Sequence, residues 1–231
     1  MSSRPEVLKA MSARMYADHS ANAAVRSVLG DVARLGDTIE KLEKQTASQS
    51  PYDTPAAHLK KVNANAKKLQ EHVANAKQRA SELLSAEYAR TRVAINEKAG
   101  LHPTENAAEI RSVLRGMKQS ERNAVLQKAL KNKDTDILAA VASGSELLTG
   151  FDDEFRTRMV ESYTREVAPD LHKQLDDIAE VEKVLPTIWG VASKAAEESV
   201  DQKLLADNEK RAELAAQSEA EFNAAFSGQG A

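Results

Sequence analysis

Two stretches decide the fold: VRSVLGDVARLGDTIEKL at residues 25–42 and LKKVNANAKKLQEHVANAKQRASEL at residues 59–83. In the first, the apolar residues are Val25, Val28, Val32, Leu35, Ile39 and Leu42, in alternating steps of three and four. The second continues the pattern with Leu59, Val62, Ala66, Leu69, Val73, Ala76, Ala80 and Leu83. This is the a/d repeat that puts one apolar seam along a helix facing another helix. Between them, Thr46 to Pro55 is too polar and proline-marked for helix, with Thr54 fit to cap and Pro55 to take a first helical position. Two seams joined by a short loop predict an antiparallel helical hairpin. Folding at that loop sets Leu42 opposite Leu59 and Leu35 opposite Ala66, with the valines opposite Ala76 and Val73.

Upstream, Leu8, Met11 and Met15 keep the same phase, with Asp18 and Asn22 falling on seam positions. Either the first helix is continuous with polar seam residues that fix register, or it breaks near His19-Ser20. Downstream the seam drifts to Leu84, Tyr88 and Ile95, and Gly100 ends the helix as a C′ glycine.

The rest of the composition agrees with thin seams rather than a thick core. Nine glycines and six prolines punctuate 231 residues, and aromatics make up 4%. Helix formers dominate, and a thick globular core would carry more Phe, Tyr and Trp. The absence of cysteine excludes disulfides, thiolate chemistry and cysteine-held zinc. No apolar run reaches the length of a membrane span, and Met1 to Pro5 does not open like a signal peptide. A soluble chain made in the cytosol is therefore expected.

Residues 101–150 predict a compact three-helix unit. Pro103, Thr104 and Glu105 open a helix with Ile110, Val113, Leu114 and Met117 on one face. Ser120 caps a second helix carrying Val125, Leu126, Ala129 and Leu130. Asp134 caps a third, carrying Ile137, Leu138 and Val141 and ending at Ser143-Gly144. Residues 151–196 read as a long helix that Pro169 and Pro186 kink or divide. Residues 197–231 hold eight acids against three bases, with few apolar anchors, and read as an acidic, partly disordered tail. The first 100 residues form the hairpin, so the expected fold class is all-α and extended.

The motif search turns up no catalytic residue, metal site or cofactor. The five histidines are scattered and read as surface or seam-edge residues. No glycine-rich phosphate loop and no nucleophile elbow occur. Asp152, Asp153 and Glu154 suit a first helical turn, and Asp176-Asp177 are consecutive, so they do not share a helix face. Catalysis needs convergent groups in a pocket, and the expectation is that this is not an enzyme. Two binding elements stand out instead. Phe222 and Phe226, one helical turn apart in the acidic tail, form a candidate partner-docking pair. Residues 60–98 carry nine Lys/Arg against four Glu; Lys60, Lys61, Lys67 and Lys68 are the candidate contacts of a phosphate-only, salt-sensitive nucleic-acid binder.

From Ile110 to Phe151 the chain resembles a segment of uncharacterised all-helical tailed-phage and prophage proteins encoded near head genes. Leu114-Arg115, Glu121-Arg122, Leu126, Ala129-Leu130, Asp134-Thr-Asp, Leu138 to Val141 and Leu147 to Phe151 carry the likeness. The resemblance implies a setting, a virion or host cytoplasm, and assigns no role to any residue. The expected function is that of a structural protein of a tailed bacteriophage, scaffold-like in head assembly or internal to the virion, acting through helix packing. Its expected partners are copies of itself or capsid and portal proteins, with no membrane and no small-molecule substrate. The alternatives are the nucleic-acid binder on 60–98 or a phage inhibitor of a host factor.

Overall fold

The structure is a computed structural model that describes residues 4–19, 21–102 and 104–227, with side chains as far as Ala225. Among the described residues it is all-α, with ten helices: α1 (Arg4–His19), α2 (Ala23–Ala47), α3 (Pro55–Lys98), α4 (Ala107–Gly116), α5 (Gln119–Asn132), α6 (Thr135–Ala142), α7 (Glu146–Thr149), α8 (Asp153–Val167), α9 (Pro169–Glu198) and α10 (Gln202–Ser227). No described helix is long and apolar enough to cross a membrane. The chain divides into two compact units, Met1–Glu82 with Glu182–Ala231, and Leu83–Val181. Helices α3 and α9 contribute to both.

In the first unit every seam residue read in α2 is buried, and so are Val62, Ala66, Leu69, Val73, Ala76 and Ala80 of α3. The helix does break before α2. Asn22 is the N-cap, its side chain accepting from the Ala24 and Val25 amides at 2.9 and 3.2 Å. Satisfying two otherwise orphaned amides favours starting a new helix there. Helix α1 then runs back along α2. Its buried Ser12 hydroxyl donates to the Leu29 carbonyl at 2.9 Å, and Lys9 pairs with Asp37 and Glu40 at 2.8 and 2.6 Å. Gly36 permits this approach, since a Cβ there would stand 3.2 Å from Lys9 Cγ. Helix α2 is therefore buried on two faces, with Leu29 and Gly36 added to the seam.

The expected register of the hairpin is corrected. The Asn65 side-chain amide donates to Gln45 at 2.8 Å, whereas the expected pairing would oppose Gln45 to Ala56, a slip of nine residues. Arg79 reaching Asp31 at 3.7 Å belongs to the same register. The cause is the connection. Seven residues between α2 and α3 are too many for a minimal turn, and Asp53 folds back onto Lys61 at 2.7 Å. The first two turns of α3 thus run past the end of α2, which leaves Leu59 only half-buried. Capping matches expectation, with the Ala57 amide donating to Thr54 at 3.2 Å. The α9 part of this unit adds a buried stripe of Leu185, Ile188, Trp189, Ala192, Ala195 and Ala196. Arg4 pairs with Glu198 at the end of that stripe.

The second unit begins where α3 finishes. Leu84 and Ile95 are buried. Gly100, at φ +65°, closes the helix through Leu101 N–H to Asn96 O (3.0 Å) and Gly100 N–H to Glu97 O (3.1 Å). That pair of bonds is a Schellman motif, and the left-handed φ favours glycine. Helix α6 is the hub. Helices α4, α5 and α8 all pack against it, so Leu138, Ala139, Ala140 and Val141 are all fully buried despite being consecutive. The core joins Leu114, Leu126, Leu138 and Val141 to Phe151, Met159 and Tyr163, so the short-helix knot shares its core with α8.

Two local readings are corrected. Helix α5 is capped at Lys118, whose amide donates to Glu121 at 3.1 Å, two residues earlier than the expected Ser120 cap. Val113 is 54% exposed, because α4 turns Ala107, Ile110 and Leu114 inward instead, with Met117 at its C-cap packed on the same core. Pro103, expected to help open α4, lies outside the described residues. Asp134 and Asp152 cap α6 and α8 through side-chain bonds to Ile137 N–H (3.3 Å) and Glu154 N–H (2.6 Å). Pro169 divides the expected long helix, starting α9 after α8 ends at Val167, while Pro186 lies inside α9.

Leu69, 2% exposed in the middle of the seam, offers the direct test. Leu69→Asp should destabilise the protein by about 3 kcal/mol or more through lost burial and a desolvated charge. Lys67→Asp, two residues away on the solvent side, should stay within about 0.5 kcal/mol. Chemical denaturation followed by circular dichroism distinguishes them; equal midpoints for the two variants would refute the seam.

Candidate functional site

The docking pair lies on α10. Beyond the buried Leu205 and half-buried Asn208, every residue of that helix through Ala225 is exposed. Phe222 is 62% exposed, Leu214 57% and Leu204 48%. Phe226 belongs to the same helix, but its side chain lies outside the described residues, as do Gly228 to Ala231 at the end of the expected tail. Residues 212–227 carry Glu213, Glu219 and Glu221 and no base. At 100° per residue, Glu219 and Glu221 fall on opposite flanks of Phe222.

The basic arm is less uniform than its sequence. Lys60, Lys61, Lys67 and Lys68 are all exposed, opposite the buried seam of α3. Lys61, however, is held by both carboxylate oxygens of Asp53 at 2.7 and 2.8 Å. Arg79 faces Asp31, and Arg90 pairs with Glu87 at 2.7 Å. Beside Lys68 lies a groove between α2 and α3, of about 420 Å³. Leu42 and Leu69 form its floor, and Lys41, Lys68 and His72 stand at its rim.

Sequence reasoning missed a cleft in the second unit. Four helices line it: Tyr88, Arg92 and Ile95 from α3; Ala142 from α6; Arg156, Val160, Glu161, Thr164 and Arg165 from α8; His172, Leu175 and Asp176 from α9. The spacings of three, four and seven put each set on one side of its helix. The cleft measures about 450 Å³, within the range of small-molecule sites. Arg165 grips Asp176 through two bonds of 3.0 and 3.2 Å and reaches Glu161 at 3.2 Å. Hydrogen bonding from Arg165 holds the Asp176 carboxyl below its usual range. His172, read from the sequence as a surface or seam-edge residue, is instead buried. Its Nε2 lies 2.9 Å from the Thr164 hydroxyl. The same hydroxyl lies 3.1 Å from the Glu161 carbonyl, so Thr164 links the imidazole to the α8 backbone. Burial first, then Arg165, pushes the imidazole below its ordinary value; Arg92 adds to this, and Asp176 and Glu161 oppose it.

Among the described residues, no group of three or more His, Asp or Glu could hold a metal ion. Comparison with protein-family models, with curated proteins and with solved structures finds no match to this chain.

The His172 environment fixes the sign of a pH dependence. Its folded value lies below the unfolded value of about 6.5, so below that pH the unfolded chain binds the proton first. The contribution is complete above about pH 6.5 and is lost as pH falls toward the lower folded value. The melting temperature should therefore drop between pH 7 and 5, and His172→Gln should flatten that drop. Parallel falls in the two proteins would show that another group titrates.

Proposed function

We propose that this chain is a non-catalytic structural protein that assembles with copies of itself through helix packing, with α10 as the docking element. The observation that carries the reading is the match between α10 and the α2–α3 groove. One presents an exposed phenylalanine flanked by a glutamate on each side. The other offers a leucine floor with a lysine on each rim, Lys41 on α2 and Lys68 on α3. Apolar anchors one helical face wide, entering a groove with opposite charge at its edges, are a recurrent mode of helix recognition. Burying Phe222 would contribute about 1.5–3 kcal/mol, with the rest of a micromolar contact supplied by the other apolar positions of α10 and by the charges at the groove edges. Reciprocal exchange of α10 closes a two-fold dimer, and one-way exchange propagates a chain of subunits. The likeness of residues 110–151 to tailed-phage proteins encoded near head genes supports a setting in head assembly or the virion.

Sedimentation equilibrium tests the assembly. The full chain should self-associate in the micromolar range. Deleting 217–231 should yield monomers with a melting temperature within a degree or two of the parent. Lys41→Glu with Lys68→Glu should also dissociate it, and adding Glu219→Lys with Glu221→Lys should restore association. A monomeric parent at 100 µM (roughly where a contact of this size would show), or a truncation that lowers the melting temperature by many degrees, would refute the docking role.

A further inference from the structure

The cleft of the second unit has polar capacity that the packing does not use. Arg165 is engaged by Asp176 and Glu161, and these two carboxylates are engaged by it. What remains is cationic. Among the described residues Arg92 makes no hydrogen bond or ion pair. Arg156 holds the Gly144 carbonyl and pairs with Asp153 at 2.7 Å, yet its Nε is buried with no partner. A buried guanidinium N–H left unmade costs free energy that an acceptor would recover. Arginine is also suited to such an acceptor, since its fork matches the oxygens of a carboxylate or phosphate.

One side of the cleft is apolar, beside the polar Asn96, Thr157, Thr164 and His172. Ile95, Val160 and Leu175 line it from three different helices, and the Tyr88 ring, 45% exposed, joins them from α3. A volume of about 450 Å³ suits a small molecule with a body rather than a bare ion. We infer that this cleft binds a small organic oxyanion, a phosphate monoester or a carboxylate on an apolar, ring-sized body, with Arg92 and Arg156 at the anionic end. The body rests against Val160 and Leu175 beside the Tyr88 ring, where planar groups stack well. The site is separate from the α2–α3 groove, so it stands or falls independently of self-assembly. A bound anion beside Arg92 offsets the cations that disfavour protonated His172, which supplies a spectroscopic signature besides affinity.

Calorimetric titration of the full chain with phenyl phosphate, benzoate, inorganic phosphate and phenol tests the inference. Phenyl phosphate or benzoate should bind saturably, and whichever is tighter identifies the anionic group. Inorganic phosphate and phenol should each bind at least tenfold more weakly. Arg92→Ala should weaken the organic anion about tenfold or more, with Arg92→Lys intermediate. Arg92 is exposed and without partners, so the substitution should leave the melting temperature unchanged. In NMR titrations the His172 ring signals should move on binding and its pKa should rise. Three results would overturn the inference: no saturable binding of either organic anion at millimolar concentration; equal affinity in Arg92→Ala; or inorganic phosphate binding as tightly as phenyl phosphate, which would mean an adventitious ion only.

Discussion

The first unit depends on the burial of α2 between two antiparallel neighbours. A helix with a single seam needs one partner; α2 buries Leu29, Asp31 and Gly36 as well as its six seam residues, and so needs two. Helix α1 can be the second only because the chain breaks at Asn22 and because Gly36 admits the Lys9 stem. Asp31 is the costly element of this arrangement. It is buried, with Arg34 on one oxygen and Arg79 of α3 at 3.7 Å from the other. A buried carboxylate adds little net stability, and removing its partner is destabilising. Its partner Arg79 sits in the register that the connection sets, so the charge stays paired there. Around this, the ion pairs of Lys9 with Asp37 and Glu40 are exposed and contribute modestly. Glu40 is held down to about 2, by Lys44 first and then Lys9, so that network persists until strongly acid pH.

The second unit solves a different problem, packing short helices that cannot stand alone. Its answer is a small central helix and capped ends. Glu121 closes the start of α5, Asp134 caps α6, and Leu138 to Val141 fill the centre. Arg122 donates to the Met117 and Gly150 carbonyls and lies 5.6 Å over the Phe151 ring. A sequence pattern made of caps and core specifies a scaffold, which is why it names no chemistry.

The heptad seams were legible because their period is written locally. Each apolar residue that defined them is buried or, like Leu59 and Leu83 at the two ends of the second seam, half-buried. Gly100 and Asp134 were legible for the same reason, since a cap is a local conformational demand. The register was not, because it is set by the path of a seven-residue connection. The sequence left two readings of helix α1 open, because it continues the phase of α2 while folding back against it, and the structure shows the break. The cleft was invisible because its lining comes from 88–96, 142, 156–165 and 172–179, and only the tertiary fold brings them together. His172 illustrates the point. A lone histidine in a helix carries no signal until Thr164, Arg165 and Arg92 surround it.

Folding also changes what the charge pattern means. Counted along the chain, residues 60–98 are strongly basic and 197–231 strongly acidic. In three dimensions the basic segment is further neutralised from outside itself by Asp53 and Asp31. The acidic segment is neutralised only where it packs, with Glu198 taken by Arg4 and Lys194. Along the exposed part of α10, Glu213, Glu219 and Glu221 make no ion pair among the described residues. Charges paired at contact distance produce little field beyond a Debye length, whereas unpaired ones on an exposed helix steer encounters. An Ala- and Glu-rich helix with one buried leucine also draws little stability from its own fold. From Glu209 to Ala225 every side chain of α10 is exposed, so this stretch is held by its own backbone hydrogen bonds rather than by a shared core.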